Sequence, residues 1–156
     1  MLVGITGHRP ERLGNTWPIV EKWIKEKLKE YKENEGKVSL ITGMARGVDQ
    51  IAAVVAIDME IGVRCYYPFP HKFSDLEDHV LIQAEVTRFE QDKYSPSVYF
   101  KRDRRIVDDC DVLLVVWDGV KNGGTYYTYQ YALEKGKKVE LFKIPAMGTD
   151  LNRRMI

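Results

Sequence analysis

Three short stretches set glycine beside residues that grip anions. They are Gly7-His8-Arg9-Pro10, then Thr42-Gly43-Met44-Ala45-Arg46-Gly47-Val48-Asp49, then Asp118-Gly119 with Asn122-Gly123-Gly124-Thr125. Glycine adopts backbone angles that a Cβ forbids and lets a ligand approach the main chain. Where such a turn opens a helix, unbonded N–H groups and the helix dipole favour a negative charge. The amides of Gly124, Thr125 and Tyr126, with the Thr125 and Thr128 hydroxyls, suit a phosphate cradle; the plainer alternative is a tight turn whose threonine caps a helix. The Gly43–Asp49 stretch, with Met44, Ala45 and Gly47, reads as a second backbone cradle, or else as a capping turn with Arg46 in solvent.

The side chains around these turns extend the chemistry. Arg9 offers a bidentate clamp for a phosphate. His8 either donates to an anion or a base edge, or bonds a backbone carbonyl. Asp49 either caps the following helix or accepts hydrogen bonds from ligand hydroxyls, and Asp118 either does the latter or fixes its own turn. Arg102 lies four residues before Ile106 and so shares an inward helix face. Phe69 and Trp117 are the aromatic candidates for contact with a base or sugar. There is neither a Gly-Lys-Ser/Thr phosphate loop nor a Gly-x-Gly-x-x-Gly run, which argues against an ATPase or an ordinary dehydrogenase.

Turns of this kind need strands and helices to bring them together. Short apolar runs at 1–6, 37–42, 63–67, 112–117 and 138–143 read as strands. Val20, Trp23, Ile24, Leu28 and Tyr31 keep helical spacing, with Asn15 or Thr16 as cap and Pro18 in the first turn. Helices are also expected over 48–61, over the polar stretch 74–93, from Ser95-Pro96 to 109, and over 125–135; residues 7–14 read as a loop. Alternating strands and helices imply parallel βαβ units. The expected architecture is one Rossmann-like α/β domain over 1–144, with helices on both faces of a five-stranded, mainly parallel sheet in order 3-2-1-4-5 and a tail at 145–156. Such sheets bind ligands where the strand order reverses, here between the first and fourth strands.

Composition narrows the rest. In 156 residues, 44% are apolar and 30% charged, and the net charge is +1. That is a soluble globular chain with no basic field to draw in nucleic acid, and no apolar run long enough for a membrane span. The N-terminus carries no signal-peptide pattern, and Cys65 and Cys110 in apolar surroundings suit a reducing cytoplasm. No Cys/His cluster has zinc spacing, and no cofactor is expected. The apolar helix at 48–57 and the tyrosines at 126, 127, 129 and 131 offer more hydrophobic surface than one sheet face needs, so a homo-oligomer is expected.

Taken together, Ile-Thr-Gly-His-Arg-Pro (5–10), Thr-Gly-Met-Ala-Arg-Gly-Val-Asp (42–49), Tyr-Pro-Phe (67–69), Arg-Asp-Arg-Arg-Ile-Val-Asp (102–108) and Trp-Asp-Gly…Gly-Gly-Thr-x-x-Thr (117–128) resemble the SLOG superfamily. Within it the pattern is similar to the YpsA/YoqJ-like branch of bacilli and their phages. The resemblance implies a Rossmann-like fold that binds nucleotides or nucleotide-derived ligands. LOG-type relatives are phosphoribohydrolases with the motif Pro-Gly-Gly-x-Gly-Thr-x-x-Glu; aligned on Gly124-Thr125, Thr128 takes the place of that glutamate. A hydroxyl cannot stabilise an oxocarbenium or activate water as a carboxylate does. The expectation is therefore a sensor or sequestering protein for a nucleotide or ADP-ribose-like ligand, without a catalytic residue or metal. An N-glycosidase acting on nucleoside monophosphates, with Asp118 or Glu134 as a displaced acid, is the second reading. Single-stranded DNA binding of the DprA type is the third, disfavoured by the near-neutral charge.

Overall fold

Alternation along β5 (Val112–Trp117) shows how the sheet is covered. Val112, Leu114 and Val116 join the core on one face, while Leu113 and Val115 join the core on the other. A strand buried on both faces belongs to a parallel sheet under helices. The computed structural model describes residues 1–147, so most of the expected tail, 148–156, lies outside the described residues.

The other strands are β1 (Leu2–Gly7), β2 (Ser39–Thr42), β3 (Gly62–Tyr67), β4 (Val86–Phe89) and β6 (Lys138–Lys143). They form one sheet of order β4-β3-β2-β1-β5-β6, and every neighbouring pair is parallel. The five expected strands stand in the expected order, but the sheet has six. The sixth, β4, lies inside the stretch read as a single polar helix. Helix α4 (Asp75–Leu81) starts there at a Ser74–Glu77 capping box and ends after seven residues. The chain then turns and pairs with β3, Arg64 opposite Val86 through Tyr67 opposite Phe89. All four β4 residues are exposed at the sheet edge. An edge strand this short shows no apolar run to distinguish it from a helix surface.

Helix α2 (Trp17–Glu35) buries Val20, Ile24, Leu28 and Tyr31, the stripe its sequence spacing requires, and carries Pro18 in its first turn. Thr16 precedes it without capping it, since its hydroxyl donates to Leu13 O (2.6 Å). The stretch 7–14 is not all loop: Pro10–Leu13 forms a single helical turn, α1. Helix α3 (Val48–Asp58) keeps Ala52, Ala53 and Ala56 fully buried, because small side chains let it sit close on β1 and β2 while α2 flanks it. Its apolar character is thus absorbed largely within the fold. Helices α5 (Val98–Asp109) and α6 (Gly123–Glu134) cover the opposite face with Ile106, Val107 and Ala132. Helix α5 begins at Val98 after an uncapped Ser97, not at Ser95-Pro96. Cys65 and Cys110 are free and buried, and burial pushes their thiols up to about 12 and about 11. Among the described residues no helix is long and apolar enough to cross a membrane.

Candidate ligand cleft

The strand order reverses between β1 and β5, and the loops leaving their carboxyl ends open a cleft. Its larger hollow, about 450 Å³, is lined by Gly7, His8, Arg9, Ala45, Asp49, Arg102, Gly124 and Thr125 of the expected site. An adjoining hollow of about 290 Å³ holds Gly43, Met44 and Phe69. Arg9, Ala45, Tyr99 and Arg102 line both, so the two hollows adjoin along these residues. Gly47, Asp118, Gly123 and Thr128 line neither hollow; Gly47 borders a separate apolar trough, Gly123 is exposed, and Asp118 and Thr128 are buried.

Two glycines let the cleft close up. A Cβ on Gly7 would fall 2.5 Å from the Val48 side chain, where β1 meets the start of α3. Gly47 has φ +97°, and a Cβ there would lie 2.3 Å from the His8 carbonyl oxygen. That carbonyl accepts a hydrogen bond from Val48 N (3.1 Å), so the start of α3 is pinned to the end of β1. Arg102 reaches across from α5. Its Nη1 donates to Gly43 O (2.8 Å) and Tyr66 O (3.3 Å), and its Nε donates to Asp103 (2.8 Å). The inward face expected for Arg102 is real, and the buried guanidinium ties together the ends of β2 and β3.

Three amides of the turn after β2 are bonded within the protein. Met44 N donates to Thr42 Oγ1 (3.1 Å), Ala45 N donates to Asp49 Oδ2 (3.3 Å), and Val48 N is taken by His8. The backbone cradle expected at Met44 and Ala45 is therefore filled by the chain's own acceptors. Asp49 does not cap α3; Gly47 holds the cap position. Burial raises the Asp49 carboxyl to about 7, Arg102 opposing and Asp103 adding to the rise.

Helix α6 differs. Asn122 precedes it with no side-chain cap, and among the described residues the amides of Gly123, Gly124 and Thr125 have no protein acceptor. Gly124 and Thr125 face the larger hollow. These are the orphan donors of a helix start. Opposite them stands Asp103, which the sequence reading passed over. Its Oδ2 lies 3.9 Å from where a Gly124 Cβ would be, and burial raises its carboxyl despite the Arg102 guanidinium beside it. Thr128 Oγ1 donates to Gly124 O (2.7 Å), with Asp103 in reach of the same hydroxyl.

His8 and Asp118 fix geometry. Asp118 accepts paired bonds from Arg12 Nε and Nη2 (2.8 Å each) and one from Val120 N (3.0 Å). Burial pushes its carboxyl up, but these donors outweigh burial and hold it below the ordinary range. The turn-fixing role thus takes all of Asp118's close partners, and Arg12 is the arginine that the loop reading missed. His8 Nε2 accepts from Asp118 N (3.1 Å), so its ring proton sits on Nδ1. Burial drives the ring down to about 4 against the pull of Asp118. A neutral ring makes the 3.3 Å approach of Nε2 to Asp118 Oδ1 a contact and not an ion pair.

A six-stranded parallel sheet with a glycine-lined cleft at its switch point defines an α/β protein of the Rossmann-like class. The sequence model of the YspA SLOG family matches residues 3–148, and the chain belongs to that family. No curated protein matches it significantly. Solved structures share the fold. DprA from Helicobacter pylori, described for its single-stranded DNA binding mode, aligns with TM-score 0.70 and 18% identity over 99% of this chain and 72% of that one. The molybdenum cofactor binding protein from Rippkaea orientalis aligns with TM-score 0.66 and 18% identity over 99% and 83%. DprA from Streptococcus pneumoniae aligns with TM-score 0.69 and 20% identity over 89% of this chain, which spans 49% of that protein. With DNA-processing proteins among these folds, the expectation that nucleic acid is no partner gains no support.

Proposed function

We propose that this chain binds a nucleotide or a nucleotide-derived, ADP-ribose-like ligand in the groove between the ends of β1 and β5, and holds it without turnover. The observation that carries this reading is the uncapped start of α6, whose Gly124 and Thr125 amides open into a hollow shared with the exposed Arg9. An anion there would satisfy donors that the protein leaves unbonded. Asp49, at the opposite wall, suits a ligand hydroxyl. Isothermal titration with AMP and ADP-ribose tests the reading: Gly124→Asp, which sets a carboxylate among those amides, should abolish binding. Unchanged affinity in the variant removes this cleft from consideration.

A second reading, nucleoside-monophosphate N-glycosidase, is favoured by one feature. Asp103 brings a carboxylate from α5 to the Thr128 hydroxyl, the place where the LOG-type motif carries glutamate. Neither Asp118, committed to Arg12, nor exposed Glu134 at the far end of α6 does so. Release of free base from AMP on chromatography, lost in Asp103→Asn, would establish turnover. For self-association the candidate surface is the apolar trough of about 420 Å³ between Leu13, Trp17, Ile51, Val54 and Leu76. Light scattering on eluted protein reads the oligomeric state directly.

A further inference from the structure

The tyrosines of α6 do not form a free stacking surface. Tyr126 lies stacked on Trp117 (centroids 5.7 Å), Tyr127 against Phe100 (4.2 Å), and Tyr131 bonds Asp108. A different aromatic group does stand open. Phe69, in the loop after β3, meets Tyr94 at 6.1 Å and Tyr99 at 6.0 Å, both edge to face, and Tyr94 meets Tyr99 at 6.4 Å. Tyr94 is 64% exposed and Tyr99 40%. At that exposure Tyr94 cannot have both ring faces covered. The neighbouring group of Tyr67, Phe73 and Phe89 is different in kind, because Tyr67 is buried and bonds Glu77.

Position decides what the open group is for. Tyr99 lines both hollows and Phe69 lines the smaller one, so these two rings border the groove, and Tyr94, which lines neither hollow, packs against both at its rim. We propose that Phe69, Tyr94 and Tyr99 form a stacking platform for the planar heteroaromatic base of a small phosphate-bearing ligand. The base stacks on one exposed ring face while the neighbouring rings, set at steep angles to it, brace that ring and meet the base edge; the sugar passes Arg9, Ala45 and Arg102, and the phosphate reaches Gly124 and Thr125. Stacking of this kind holds a base whatever its hydrogen-bonding edge. The inference rests on the cleft reading above and adds to it the class of ligand and the residues that select it.

The test separates the two. Isothermal titration compares AMP with ribose 5-phosphate, which has the same sugar and phosphate without the base. Wild type should prefer AMP by about 5- to 150-fold, the range of one base–aromatic stack. Tyr94→Ala and Tyr99→Ala should each cut that preference at least about fivefold, Tyr94→Ala, whose ring lines neither hollow, should leave ribose 5-phosphate binding unchanged, and Tyr99→Phe should keep the preference. Tyr94 is exposed enough that its replacement leaves the core intact. Ribose 5-phosphate binding with no advantage for AMP, or an advantage that survives both alanine variants, overturns the platform and spares the cleft. Failure of both ligands to bind wild type removes the cleft and the platform together. Tighter binding of a ten-residue oligothymidylate than of AMP overturns the small-ligand assignment and gives the surface to a DNA strand.

Discussion

Replacing Asp49 by Asn should stabilise the protein at alkaline pH while weakening its ligand site. Asp49 is 8% exposed, and its carboxyl ionises near pH 7 in the fold against 3.8 ordinarily. Burial is the main cause; Asp103 adds to it, and Arg102, the Ala45 amide and Arg9 oppose it. A carboxyl whose folded pKa is raised favours the fold while protonated in both states. That advantage is complete below pH 3.8 and is lost as pH rises through about 7. The gap corresponds to about 4 kcal/mol at full ionisation. Relaxation and water around the buried charge reduce the effect to about 2 kcal/mol. Asparagine keeps an oxygen for Ala45 N and never ionises. Urea unfolding followed by circular dichroism, from pH 4.5 to 8.5, reads the difference between variant and wild type. It should move toward the variant by about 2 kcal/mol across that range, at constant m. A difference that stays the same at both ends refutes the buried, late-ionising carboxyl. If ligand hydroxyls bond Asp49, the stabilised variant should also bind AMP less tightly, as happens when a strained site group is relaxed.

His8 works with the opposite sign: its folded pKa is depressed from 6.5 to about 4, so the stability tied to its neutral ring is present above 6.5 and lost as pH falls toward 4. Its imidazole proton resonances should titrate near pH 4, and a midpoint near 6.5 would contradict the buried neutral ring. Gly47→Ala sets a Cβ 2.3 Å from a backbone oxygen at φ +97° and should cost about 3 kcal/mol or more in urea unfolding; a loss below about 1 would mean the turn re-forms freely. Arg12→Ala leaves Asp118 buried without its bidentate partner and should cost about 2 kcal/mol, short of a fully buried pair because the Arg12 side chain is 31% exposed. An unchanged urea midpoint would show that Val120 N alone satisfies Asp118.

Much of this architecture is legible in the chain. Val112–Trp117 reads as a strand over the bounds it adopts because its apolar run records burial, and Lys138–Lys143 also adopts the expected bounds although none of its residues is fully buried at the sheet edge. The glycine turns mark the ends of β1 and β2 and the start of α6. What the chain conceals is pairing over distance. Arg12 sits in a stretch that turn residues make look irregular, and its acceptor Asp118 is 106 positions away. Asp103 stands between Arg102 and Arg104, and in such a charged stretch nothing local separates a solvated acid from a buried one. Strand β4 escaped for the opposite reason: all four of its residues are exposed, so burial leaves no period to read. The filled cradle after β2 was hidden because Thr42 and Asp49 supply its acceptors from positions with ordinary turn and capping roles of their own.

The carboxylate question at α6 bears most directly on holding against turnover. The LOG-type motif places its acid on the helix that follows the glycines; this chain has Thr128 there and brings Asp103 from α5 to the same hydroxyl. Arg102 Nε donates to Asp103 Oδ1 at 2.8 Å, so a guanidinium charge already sits on the carboxyl whose other oxygen, Oδ2, is the one nearer Gly124. Burial raises the same carboxyl, so the charge it could offer is both partly neutralised and harder to form. A nucleophile or ion-stabilising carboxylate needs the reverse: free, ionised and facing the sugar. On the reading proposed above, Asp103, bound to Arg102 and beside the open amides of Gly124 and Thr125, shares hydrogen bonds with a ligand hydroxyl, and release of free base from AMP by the wild-type protein would refute it.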